Sequence, residues 1–229
     1  MSRNSLQCLF LATCLTAVAS TSANAAAVTC ISMAGTATDL YAFLAPGSGN
    51  SCTSGKISYF DFATTRPNAP PLLLTAIDES NPAGPTMFLN PNVVDGIQIS
   101  FVGKITPDPG FGLSGVGAAA DGGTGVSQRL RVCTTEWASG VCGGSLLADI
   151  SAFLNSPANA QVAPPRPGYS YQLVNINVPV FTQGDTEIAF GQRYTFTAVP
   201  EPATFATAAG ALALIAASRC LHRKGKKRS

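Results

Sequence analysis

The chain has 229 residues, 46% of them hydrophobic and 11% charged, with a formal net charge of +2. That charge sits at the ends: Arg3 and the six Lys and Arg from Arg219 onward leave seven of the 14 basic residues in the body, against eleven of the 12 acidic ones, so the body carries about −4 (7 less 11). This excludes a basic nucleic-acid footprint. The single histidine, His222, lies in the tail, which excludes Ser-His-Asp triads, Cys-His pairs and histidine-ligated metals from the body.

The first 25 residues read as a secretory signal peptide. Arg3 precedes an apolar stretch from Leu6 to Ala19, and Ala23-Asn24-Ala25 supplies a small-residue cleavage site. Signal peptidase is the implied partner. Cleavage there removes Cys8 and Cys14. Residues 26–198 then form a body of single-domain size, large enough to bury a sizeable core.

Of the seven cysteines, Cys30, Cys52, Cys133 and Cys142 remain in the body, and Cys220 falls in the tail. An even count in an exported chain predicts disulfides. Three connectivities are open. Local closure favours Cys30–Cys52 and Cys133–Cys142, each stabilising by about 2–3.5 kcal/mol on loop-entropy arithmetic. A four-thiolate zinc site is disfavoured because no C-x-x-C pair is present.

The body alternates with period two, the pattern of half-buried strands. In Lys56 to Phe62, the spacing places Phe60 and Phe62 on one face. Ile97, Ile99 and Phe101 share another. Arg129 to Thr134 reads as a strand. Gln172 to Val180 sets Val174, Ile176, Val178 and Val180 opposite Asn175 and Asn177. Ile188, Phe190, Tyr194 and Phe196 line a face of the last strand. Ser145 to Leu154 is the one stretch that admits a short helix. Breakers lie between these segments: Asn68-Ala69-Pro70-Pro71, Asn81-Pro82, Pro107-Asp108-Pro109-Gly110, Asp121-Gly122-Gly123 and Pro164-Pro165-Arg166-Pro167-Gly168. The expected fold is all-β: an antiparallel sandwich, jelly-roll-like or immunoglobulin-like.

Chemistry is sparse. Acid–base work falls to carboxylates, among them Asp61, Asp78, Glu79, Asp95, Asp108, Asp121, Glu136, Asp149, Asp185 and Glu187, and no spacing selects a pair. Gly55-Lys56 fails as a phosphate loop, since Asn50 and Ile57 stand where Gly and Ser or Thr belong. No calcium-loop motif is present. Thr195 and Thr197 are too few for an ice-binding array. No catalytic residue, cofactor or metal is therefore expected. Trp137 stands apart: it lies between Cys133 and Cys142, beside Glu136. A closed loop there presents an indole for stacking on a sugar, unless the ring folds back onto the core.

Residues 199–229 carry three signals in order. Val199-Pro200-Glu201-Pro202 comes first. An apolar run from Ala203 to Ser218 follows, about 16 residues against the ~17–25 of a spanning helix. A basic stop from Arg219 to Arg228 ends the chain, expected on the cytoplasmic side. This arrangement resembles the PEP-CTERM sorting signal, with Pro200, Glu201 and Pro202 as its motif. The resemblance implies recognition by an exosortase and transient residence in the inner membrane through a C-terminal transmembrane helix. It further implies processing near the motif, delivery to the cell surface or extracellular matrix, and association with exopolysaccharide. Gly49-Asn50-Ser51-Cys52-Thr53-Ser54-Gly55, before Phe60-Asp61-Phe62, also resembles a segment of uncharacterised exported PEP-CTERM proteins. The reading is a non-catalytic exported protein; a carbohydrate-binding module using Trp137 is the alternative, and a carboxylate hydrolase the remote third.

Overall fold

The computed structural model describes residues 28–66, 68–81, 84–91, 96–179 and 188–199. The expected signal helix, the C-terminal helix and the motif Pro200-Glu201-Pro202 lie outside these residues. Among the described residues no helix is long and apolar enough to cross a membrane.

The strands run β1 (Val28–Thr29), β2 (Cys52–Ser54), β3 (Ile57–Thr64), β4 (Leu73–Asp78), β5 (Thr86–Asn90), β6 (Ile97–Pro107), β7 (Phe111–Asp121), β8 (Ser127–Cys133), β9 (Trp137–Ala138), β10 (Val141–Cys142), β11 (Leu146–Phe153), β12 (Ala158–Arg166), β13 (Ser170–Val178) and β14 (Ala189–Ala198). A seven-stranded sheet has the order β1-β2-β3-β6-β13-β8-β11, and a five-stranded sheet the order β12-β7-β14-β5-β4. The pairings are antiparallel except β1 with β2. The protein is an all-β sandwich.

Alternation builds the core. Ile99, Phe101, Leu130, Val132, Val174 and Ile176 point inward from the larger sheet, and Leu89, Leu113, Val116, Phe190 and Tyr194 meet them from the smaller one. Each of these large apolar side chains contributes about 1.5–3 kcal/mol on burial. The loop between β1 and β2 carries a short helix, α1 (Leu40–Phe43), whose N-cap Asp39 accepts from the Tyr41 and Leu72 amides at 3.0 and 3.1 Å. Leu40 and Leu44 are buried beside it.

Three expectations are corrected. Ser145 to Leu154 is no helix: β11 occupies it, with Ala148, Ile150 and Ala152 buried at period two and pairing along β8. Phe60 and Phe62 do not share a face. Asp61 adopts φ 54°, and the β3–β6 register shifts between Phe60 and Ala63. Ile57 and Tyr59 point inward, so alternation leaves Phe60 outward, and the bulge that follows returns Phe62 to the core. Pro164 and Pro165 do not end a strand either. They lie in β12, an edge strand, where pairing with β7 lapses between Gln161 and Arg166 and the missing amides cost nothing.

One glycine answers the bulge. Gly103 of β6 faces the core opposite Gln172, and a Cβ there would stand 3.0 Å from the Phe62 ring.

Candidate functional site

Both favoured disulfides are present, Cys30–Cys52 and Cys133–Cys142. The second decides where Trp137 goes. Cys133 ends β8 and Cys142 ends the β9–β10 hairpin, in which Cys142 pairs with Trp137 and Val141 with Ala138. Ser139 and Gly140 form the two-residue turn with φ of 50° and 77°, the left-handed values such a tight hairpin requires. Trp137 therefore sits at the base of the hairpin, not at its tip. The hairpin folds over the outer face of the seven-stranded sheet, away from the core between the sheets. Its indole Nε1 donates to the Tyr171 carbonyl at 2.9 Å. The Arg131 guanidinium lies 5.1 Å from the ring centroid, a cation–π contact. Arg131 Nη1 also donates to the Gly140 carbonyl at 3.4 Å, tying the hairpin tip to β8.

Register brings the neighbours together. On the outer face Phe60 of β3, Lys104 of β6, Tyr171 of β13 and Cys133 of β8 form one cross-strand row. Phe60 joins this row in unbroken register from Ile57, ahead of the Asp61 bulge. Tyr169, just before β13, meets Phe60 edge-on at 5.5 Å. Lys104 Nζ is surrounded by aromatic rings, 4.3 Å from Tyr169, 5.2 Å from Phe60 and 5.6 Å from Tyr171. It also pairs with Asp61 at 3.5 Å. Alternation alone does not reveal this row, because its members lie on four strands that only the pairing register aligns.

Between the hairpin and the loop at Pro46-Gly47 lies a cleft of about 290 Å³, lined by Trp137, Tyr171, Lys104, Asp61 and Glu136 among others. Apolar ring walls with a few convergent polar groups are the ordinary make-up of a small-molecule site. Here the walls are two aromatic rings. The polar groups are an ammonium and two carboxylates, which donate to and accept from hydroxyls. The cleft suits a hydroxylated ring: its C–H face on the aromatics, its rim on the charges.

The other carboxylates are scattered. Asp149 receives two hydrogen bonds from Arg129, at 2.8 and 2.7 Å. Those bonds are the main reason its carboxyl is held below the usual carboxylate range. Glu79 accepts from Ser54, and Asp78 from the Ser80 amide. The Ser80 side chain and amide hold the Asp78 carboxyl low. Asp108 pairs with Lys56 at 3.8 Å, so Lys56, beside the Gly55 turn between β2 and β3, is committed to a surface ion pair and to the Phe111 ring. Asp121 accepts from its neighbour Gly122, as a turn residue does. Asp95, Asp185 and Glu187 lie outside the described residues. Among the described carboxylates, Asp61 and Glu136 line one cleft. Among the described residues no cluster of metal-ligating side chains is present.

No family model and no curated protein matches the chain. Among solved structures it is similar to TmCBM61 in complex with beta-1,4-galactotriose, at 12% identity and a TM-score of 0.32 over 62% of this chain and 88% of that one. It is also similar to an active-site mutant of a family two carbohydrate esterase from Clostridium thermocellum, at 14% identity and a TM-score of 0.20 over 58% of this chain. The chain spans 34% of that second protein. At such TM-scores neither likeness carries an argument about the site.

Proposed function

We propose that this chain is an exported surface or matrix protein whose sandwich binds polysaccharide in the Trp137 cleft and performs no covalent chemistry. The observation that carries the reading is the cleft itself. A disulfide-closed hairpin pins an indole against Tyr171, beside Lys104, Asp61 and Glu136. A pinned ring loses little freedom when a ligand stacks on it, so its contact area converts to affinity with a small ordering cost. Two disulfides suit an oxidising compartment outside the cytoplasm.

Delivery belongs to the tail. On this reading the signal peptide takes the chain across the inner membrane, and Pro200-Glu201-Pro202, the apolar run and the basic stop, which resemble the substrate features of an exosortase, hold it there until processing delivers it to the surface. A mature C-terminus of the same mass in a wild-type and an exosortase-null strain would refute that part. Polysaccharide pull-down with the full chain tests the other part: Trp137→Ala should abolish retention.

One observation favours a second reading. Asp61 and Glu136 line one cleft, as a pair of glycosidase carboxylates must. Asp61, however, is paired with Lys104. Release of reducing ends from a bound polysaccharide, lost in Glu136→Gln, would establish hydrolysis; the binding reading predicts no release.

A further inference from the structure

The outer face of the seven-stranded sheet continues past the Trp137 cleft. Along β13 it presents Tyr171, Leu173, Asn175 and Asn177. Register sets Lys104, Val102, Ser100 and Gln98 of β6 on one side and Cys133, Arg131, Arg129 and Ser127 of β8 on the other. The aromatic end gives way to an amide-rich and basic end. A second groove of about 310 Å³ lies there, lined by Arg66, Gln98, Arg129, Asn175 and Asn177 among others. From Tyr171 to Asn177 the strand advances by about 20 Å at ~3.3 Å per residue.

Arg131 joins the two grooves. Its guanidinium lies 5.1 Å from the Trp137 centroid, and its Nη2 donates to Asn175 Oδ1 at 3.1 Å. Asn175 in turn donates to Ser100 Oγ at 2.8 Å. A ring in the first cleft and a polar group in the second would touch one connected set of side chains.

Charge indicates what the second groove takes. The body is acidic, yet Arg66, Lys104, Arg129 and Arg131, four of its seven basic residues, lie on this face. Asp61 neutralises Lys104, and Asp149 neutralises Arg129. Among the described residues no carboxylate pairs with Arg66 or Arg131. Arg66 Nη2 donates to the neutral Gln98 Oε1, at 3.1 Å. An exposed guanidinium with a neutral acceptor keeps planar donor sites for a carboxylate, which it binds two-pronged. The amides of Asn177 and Gln98 beside it supply further donors and acceptors.

We propose that this second groove is a subsite for a uronic acid residue of the same polysaccharide whose other residues lie against Trp137 and Tyr171. The proposal rests on the glycan-binding reading and adds a substrate class to it: an acidic polymer, held by its carboxylate at Arg66.

The test compares polygalacturonate with its fully methyl-esterified form, which has the same backbone without the charge. With the full chain at low salt, the acid form should bind at least about tenfold tighter, equivalent to about 1.4 kcal/mol. That preference should shrink as salt screens the exposed guanidinium. Arg66→Gln should weaken the acid form by about tenfold and leave the ester unchanged. Asn177→Ala, on the same groove, should act in the same direction. Equal affinity for acid and ester in the wild type, or wild-type behaviour of both variants, overturns the acidic subsite while leaving the Trp137 reading in place. A Trp137→Ala chain that binds both polymers as the wild type does overturns the underlying reading instead. Binding of neither polymer by the wild type overturns the proposal.

Discussion

Trp137 donates its indole hydrogen to the Tyr171 carbonyl at 2.9 Å, across 34 residues of sequence. The contact fixes a two-stranded hairpin to the outer surface of a sheet it does not belong to. It places the ring beside Tyr171, in a cleft that Asp61 also lines. The disulfide at the base of the hairpin and the Arg131 guanidinium under the ring hold the same geometry from two other directions.

The two disulfides should therefore separate in effect. Cys133 and Cys142 close a loop with a sequence separation of 9, and Cys30 and Cys52 one of 22. Loop-closure arithmetic gives about 2.6 and 3.4 kcal/mol respectively. Denaturant unfolding of the Cys133→Ser/Cys142→Ser and Cys30→Ser/Cys52→Ser proteins should rank them in that order. Only the first pair should also weaken polysaccharide binding while the sandwich stays folded.

Tyr59 and Tyr194 touch edge-on in the core, with centroids 6.0 Å apart, and predict opposite outcomes on losing their hydroxyls. The Tyr59 hydroxyl is buried with no hydrogen-bond partner among the described residues. Tyr59→Phe should stabilise the protein by up to about 1 kcal/mol, since it removes an unpaid desolvation. The Tyr194 hydroxyl donates to Gln172 Oε1, and Tyr194→Phe should cost about 1–2 kcal/mol by orphaning that acceptor. Thermal or denaturant midpoints check both signs.

The same burial predicts alkaline sensitivity. Desolvation raises both phenols above their ordinary value, because the folded core disfavours phenolate. Their contribution to stability is complete below about pH 10, the unfolded value, and is lost as the pH climbs from there towards the raised folded one. Tyr59→Phe should lose less stability between about pH 9 and 11 than the wild type does.

Acid sensitivity has a surface source. The two hydrogen bonds from Arg129 hold the Asp149 carboxyl below its ordinary value of about 3.9. The pair is therefore fully stabilising above about pH 4 and is lost as the pH falls through the depressed folded value. It is partly exposed, so Asp149→Asn should cost only about 0.5 kcal/mol near pH 7. The gap between variant and wild type should narrow as the pH falls below about 4, as read by urea unfolding.

Much of the fold was legible in the sequence because period two survives wherever one face is buried. Val174, Ile176 and Val178 are all buried opposite Asn175 and Asn177, as their spacing requires. Ile188, Phe190, Tyr194 and Phe196 hold one face even across a register shift at Thr195. Legibility failed where a local event reset the parity. The left-handed Asp61 returned Phe62 to the core and so parted it from the outward Phe60, and no residue type announces that in advance, since aspartate is tolerated in that conformation without being bound to it. Leu146 to Phe153 carries alanines and a central Asp that fit either helix or strand; pairing with β8 decided the matter. The site was half visible. Trp137 between two cysteines marked one wall. Lys104, Tyr171 and Asp61 are separated from it by tens of residues, and only the register of β6, β13 and β3 brings them alongside.

The central claim is that Trp137 is the ligand-stacking wall of this cleft, and the most direct measurement is the dissociation constant of the full chain for an extracellular polysaccharide with Trp137 varied. Trp137→Ala should lose at least about tenfold in affinity, roughly the worth of one stacked ring. Trp137→Phe, which keeps a ring but loses the hydrogen bond to Tyr171, should fall between the two. Far-ultraviolet circular dichroism and the unfolding midpoint should show the sandwich intact in both. Wild-type affinity in a folded Trp137→Ala protein would contradict the account.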